Sequence, residues 1–139
     1  MHLKKKSITV CFSCYNETKY VIKNIKKVRP LLKKQNLKFE LMVVDDASSE
    51  NNIEKLKKFC IKNKIIYIRH THNLGFFKSF LSGLIKSKCQ YFKLFAGDDA
   101  TNTNHIRLMF KEFYKQDLLI PYNNQFEMNG KPFSRKIIS

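Results

Sequence analysis

The chain has 139 residues, 43% of them hydrophobic and 27% charged, with only four Gly and three Pro. That is enough for one globular domain with its own core, and it excludes a disordered, fibrous or linker-rich chain. Twenty-seven basic residues against eleven acidic give a net charge of +16, which favours anionic partners: nucleic acid, acidic lipid or phosphorylated small molecules.

Ser7–Phe12 is a short apolar, β-branched run and predicts the first strand. From Thr18 to Asn36, Val21, Ile25, Val28 and Leu32 fall on one helical stripe, lysines cover the other faces, and Pro30 predicts a kink or an early stop. Phe39–Val44 predicts strand two, ended by Asp45-Asp46, after which Ser48 or Ser49 can cap a helix with the stripe Ile53, Leu56 and Cys60. Lys64–Arg69 predicts strand three and Asn73-Leu74-Gly75 a turn. Phe76–Lys86 then predicts helix three, with Phe77, Leu81, Leu84 and Ile85 facing inward. Gln90–Phe95 predicts strand four, Asn104–Gln116 a fourth helix on Ile106, Met109, Phe110 and Phe113, and Leu118–Pro121 the start of a fifth strand. No apolar run approaches the ~20 residues of a membrane span, and the Lys4–Phe12 start makes a poor secretion signal.

Near-continuous apolar strands alternating with helices imply an α/β fold: a doubly wound, mostly parallel sheet with helices on both faces. Ligands of such sheets bind beyond the carboxyl ends of the strands. The segments there are Ser13–Glu17, Asp45–Ser49, His70–Gly75 and Gly97–Asp99. Two adjacent Asp pairs on one rim repel each other unless a cation lies between them, and a hard divalent ion with oxygen ligands supplies one. Neither G-x-G-x-x-G nor a P-loop occurs, so a diphosphate would be held by Mg²⁺ or Mn²⁺ on Asp98/Asp99 and by Lys78. Cys11 and Cys14 have C-x-x-C spacing without a second ligand pair, and the four cysteines read as structural thiols of a reducing compartment.

Four blocks carry a resemblance: Val10 to Tyr15-Asn16-Glu17, Glu40 to Asp45-Asp46-Ala47-Ser48, Asn73-Leu74-Gly75-Phe76 with Lys78, and Leu94-Phe95-Ala96-Gly97-Asp98-Asp99. In order and spacing the set resembles family 2 nucleotide-sugar glycosyltransferases of the GT-A fold, over residues 7–120. The resemblance implies that Ser13, Tyr15, Asn16 and Glu17 lie along the donor nucleotide, that Asp46 bonds the base, and that Asp98 contacts ribose or sugar. It further implies that Asp99 holds the metal and that Lys78 lies near the diphosphate. The implied reaction is metal-assisted transfer, with inversion, from a nucleoside-diphosphate sugar, a UDP-sugar foremost, to a saccharide or lipid-linked acceptor hydroxyl. The general base is unknown: Glu112, Asp117 and Glu127 are the only later carboxylates, and none stands in a matching motif. The expectation is a single nucleotide-binding half-domain over 1–139, truncated before its acceptor part and completed by a missing C-terminal segment or a partner chain. It is expected in the cytoplasm, with peripheral contact at the inner membrane face. The competing readings are a catalytically incomplete nucleotide-diphosphate-binding module and a basic binder of nucleic acid or acidic membrane. Specific nucleic-acid recognition is not expected, because only four of the 27 basic residues are Arg.

Overall fold

The computed structural model describes residues 6–35, 37–97 and 107. Seven elements follow one another: β1 (Ser7–Cys14), α1 (Thr18–Lys33), β2 (Lys38–Asp45), α2 (Glu50–Lys62), β3 (Ile66–Arg69), α3 (Phe76–Lys86) and β4 (Tyr91–Ala96). The expected fourth helix, apart from Arg107, lies outside the described residues, as do the fifth strand and the tail.

The four strands form one sheet in the order β3-β2-β1-β4, with every neighbouring pair parallel. The order reverses at β1, so the crevice beyond its carboxyl end is the place where such a sheet accepts a ligand. Alternation along the strands sends side chains to two unequal cores. Ile8, Val10, Phe12 and Cys14 of β1 and Leu41 and Val43 of β2 join α1 and α2 in the larger one. Cys11, Met42 and Val44 point to the opposite face, with Ile66, Ile68, Phe92 and Leu94 half-buried around them. There α3 covers the sheet: a Cβ on Gly83 would stand 3.0 Å from both Cys11 Sγ and Phe92. Cys11 and Cys14 thus lie on opposite faces of β1 and share neither a metal nor a disulfide.

Several boundaries differ from the sequence expectation, each for a local reason. α1 runs through Pro30 and ends one turn later, at Lys33. Ser49 occupies the N-cap position of α2 but makes no side-chain cap bond, and the hydroxyl of Ser48 instead receives the Asn16 N–H at 2.9 Å. Strand three starts at Ile66, not Lys64, because Lys64 has φ 54° and closes α2: the Ile65 N–H reaches Cys60 O at 2.9 Å. That is the left-handed helix stop more often made by glycine. The inward face of helix three is also corrected. Ser79 and Gly83 are its buried residues, whereas Phe77, Leu84 and Ile85 are exposed. Small residues let the helix lie close on the sheet, while its large apolar residues gather on one half whose middle, Phe77 and Leu84, is exposed, so the hydrophobic stripe does not mark the side that faces in.

Candidate functional site

The chain leaves β2 through two acidic residues with separate tasks. Asp45, the last residue of the strand, is fully buried. Its Oδ1 accepts the Ser48 N–H at 3.0 Å, and its Oδ2 accepts the Tyr67 hydroxyl and Arg69 Nη1, each at 2.6 Å. Burial alone would raise its carboxyl, but these donors outweigh burial and hold it below the usual carboxylate range. The same phenol pays for the contact in the other direction, since burial and the Asp45 charge raise the Tyr67 hydroxyl well above its ordinary value. Arg69 also donates to Ser48 O at 3.0 Å, so β3 holds the turn after β2 from both sides.

Asp46 faces the other way and ties down the entry to α3. Its Oδ1 accepts the Leu74 N–H at 2.8 Å and contacts His70 Nδ1 at 2.7 Å, while its Oδ2 accepts the Gly75 N–H at 2.8 Å. Burial again opposes the charge, and the bonds from His70, Leu74 and Gly75 outweigh it, so the carboxyl lies below its usual range. A carboxylate only accepts, so His70 Nδ1 carries the proton, and Nε2 meets Ser82 Oγ of α3 at 2.7 Å. His70 therefore links the end of β3, Asp46 and α3. Gly75 has φ 88°, a conformation that glycine adopts without strain, and it redirects the chain from the two N–H groups held by Asp46 into α3.

A second tie joins the turns after β1 and β2. Asn16, at φ 57°, accepts the Ser49 N–H on Oδ1 at 2.7 Å and gives its own N–H to Ser48 Oγ. Ala47, also left-handed at φ 64°, lies between Asp46 and Ser48. Two non-glycine residues in that region mark a turn over-determined by its hydrogen bonds.

Between these turns, at the carboxyl edge of β1 and β4, lies a cavity of about 190 Å³ lined by Ser13, Cys14, Tyr15, Glu17, Asp46, Phe76, Ser79, Ala96 and Gly97. Tyr15 and Phe76, 49% and 58% exposed, are the aromatic residues of its lining. Gly97 is required by space: a Cβ there would come within 2.6 Å of both Ser13 O and Glu17 Oε2. Its carbonyl accepts Asn24 Nδ2 of α1 at 3.1 Å, which fixes the end of β4.

Of the residues expected at the site, Ser13, Tyr15, Glu17 and Asp46 line this cavity together. Asn16 instead holds the two turns together, and Lys78 is exposed on α3 away from the cavity wall. Asp98 and Asp99 follow Gly97 in sequence and lie outside the described residues. Among the described residues no group of three or more His, Cys, Asp or Glu could hold a metal. Phe76, Ser79 and Gly97 were not read as site residues, and neither was His70. The Asn73-Leu74-Gly75 turn pointed to the right helix end but not to which of its side chains face the cavity.

Comparison with known proteins bears on the family and the fold. The family model described as glycosyl transferase family 2 matches residues 9–137. An uncharacterized glycosyltransferase of Rickettsia bellii is 28% identical over 122 residues, 88% of this chain and 17% of its own length. Glycosyltransferase GlyG of Streptococcus pneumoniae is 23% identical over 86% of this chain and 39% of its own length. The chain thus spans well under half of these relatives. Among solved structures, S. aureus TarS 1-349 superposes with a TM-score of 0.60 at 22% identity, over 78% of this chain and 32% of that one. A mannosyltransferase from Pyrobaculum calidifontis, solved with GDP-Man and Mn²⁺, superposes with a TM-score of 0.58 at 15% identity, over 75% of this chain and 31% of that one. At these identities the structures establish the fold, a parallel Rossmann-like sheet of the GT-A kind. With the family model matching nearly its whole length, this chain belongs to glycosyl transferase family 2.

Proposed function

We propose that this chain forms the donor-nucleotide-binding part of a glycosyltransferase that moves a sugar from a nucleoside-diphosphate sugar to an acceptor hydroxyl. The observation that carries it is the cavity at the carboxyl edge of the sheet, where Asp46 and the Ser13–Glu17 turn meet the first turn of α3. Two carboxylate oxygens offer about four acceptor directions. Three N–H donors occupy Asp46, which leaves one direction on Oδ2 for a ring N–H of a base. Tyr15 and Phe76 supply the flat surfaces on which a base stacks. TarS has also been solved with UDP-GlcNAc and with UDP, which supports a nucleotide sugar as the class of ligand and a UDP-sugar as the first candidate.

The described residues around the cavity do not make a metal site by themselves, and Asp98 and Asp99 are the carboxylates proposed to complete it. Mg²⁺ or Mn²⁺ bound by Asp99 would offset the negative charge that builds on the departing diphosphate. The residues of this chain bind and orient the nucleoside. An inverting attack would need a carboxylate base within reach of the acceptor hydroxyl. The acceptor is a saccharide or a lipid-linked glycan. α1 carries six basic residues and no acidic one, which supports peripheral contact with an acidic inner membrane face in the cytoplasm.

Thermal-shift titration tests the reading. UDP or GDP with Mn²⁺ should raise the melting temperature, and Tyr15→Ala should weaken that binding roughly tenfold by removing a stacking face. Absence of a shift with every nucleoside diphosphate would end the proposal. Binding without transfer to any acceptor would favour a nucleotide-binding module. Affinity for acidic vesicles or nucleic acid that is unaffected by nucleotide would favour a basic binder.

A further inference from the structure

Among the described residues, one buried polar group beside the cavity has no hydrogen-bond partner. Ser79 is 1% exposed and lines the cavity, and its hydroxyl is the buried side-chain polar atom left without a hydrogen-bond partner among the described residues. Its backbone N–H is satisfied by Gly75 O at 3.1 Å, so the vacancy belongs to the side chain alone. An unpaired buried hydroxyl costs stability, and natural folds keep few of them. The position is also favourable for packing with alanine, a better helix former that would remove the orphan. A ligand in the cavity would satisfy a hydroxyl retained there.

The surroundings state which part of a ligand it meets. Two carboxylates, Asp46 and Glu17, line the same cavity. A phosphate group would be repelled there, while an uncharged moiety rich in N–H and O–H donors would not. The exposed rings of Tyr15 and Phe76 fit a flat heterocycle. We infer that Ser79 is a nucleoside-binding residue: its hydroxyl pairs with the base beside Asp46, Phe76 stacks on the ring, and the diphosphate lies outside this cavity. The inference rests on the nucleotide reading above and adds to it the two α3 residues that grip the nucleoside.

Calorimetric titration of the full chain with uridine, UDP and pyrophosphate, each with Mn²⁺, tests this on Ser79→Ala. Loss of one buried hydrogen bond should weaken uridine and UDP by the same factor, about five- to tenfold, and leave pyrophosphate unaffected. The melting temperature of the variant without ligand should equal or exceed that of the native chain, because no side-chain bond of Ser79 to the described residues is lost. A variant that binds uridine and UDP as tightly as the native chain would overturn the assignment of Ser79 while leaving the nucleotide reading intact. A loss confined to UDP would move the hydroxyl to the phosphates and overturn it too. If the native chain binds neither uridine nor UDP, the nucleotide reading falls and takes this inference with it.

Discussion

Asp45→Asn preserves volume and shape and changes only what the side chain can accept. The buried carboxylate takes one donor on Oδ1 and two on Oδ2, one of them a guanidinium. An amide keeps a single acceptor oxygen. In its better orientation that oxygen meets Tyr67 and Arg69, and the new NH₂ is driven against the Ser48 N–H. Losing that bond in a buried site costs about 1–3 kcal/mol. The Arg69 side chain is 33% exposed, so losing its counter-charge adds only about 1 kcal/mol after solvent screening. The sum is about 3 kcal/mol, or roughly a 10 °C fall in melting temperature for a chain of this size. Urea and thermal unfolding followed by circular dichroism measure it. The sign of the pH dependence follows from the depressed carboxyl of the folded state. Its stabilisation is complete above the unfolded value of about 4 and is lost as pH falls through the lower folded value. The gap between native and variant should therefore narrow on acidification below about pH 4. A loss under about 1 kcal/mol at pH 7, or a gap unchanged down to pH 3, would refute the assignment of Asp45 as the anchor of this network.

Two further outcomes are expected. Gly97→Ala puts a methyl group against Ser13 O, Glu17 and Val21 and should cost about 1–3 kcal/mol, read as a lower urea midpoint with unchanged slope; an unchanged midpoint would mean the close approach is not real. Burial pushes the thiols of Cys11 and Cys60 up to about 12 and raises that of Cys14, while Cys89 is half-exposed. A thiol reagent at pH 8 should label Cys89 first and the other three only as the chain unfolds, and fast labelling of Cys11 or Cys60 by mass spectrometry would contradict the packing.

Most of the architecture was legible because parallel strands buried on both faces read as unbroken apolar runs, which makes β1, β2 and β4 hard to mistake. The end of β2 was legible for a different reason: an acidic pair in a strongly basic chain stands out. The sequence did not reveal how that pair divides its work. Asp45 and Asp46 are identical in kind, and only the alternation of the strand sends one into the Tyr67–Arg69 network and the other toward α3. The sequence placed His70 at the end of strand three but did not show its task, because its partners, Asp46 and Ser82, lie 24 and 12 positions away. Helix three was the hardest to read. Its large apolar residues lie on one half of the helix, but the middle of that half is exposed, so the close approach of Gly83 and the placement of Phe76 and Ser79 are set by tertiary packing and not by the period of the sequence.

Among the described residues the two cores are of unequal size, which gives that part of the molecule a strong half and a weak half. Amide protons of β1 and α1, sealed in the larger core, should exchange with solvent only on global opening, whereas α3 rests on the smaller cluster and should exchange by local fluctuation. Because α3 also supplies one wall of the cavity, a bound nucleotide would register as slowed deuterium uptake concentrated in that helix. Occupancy of the pocket and order in the weaker half are thus a single equilibrium seen from two ends.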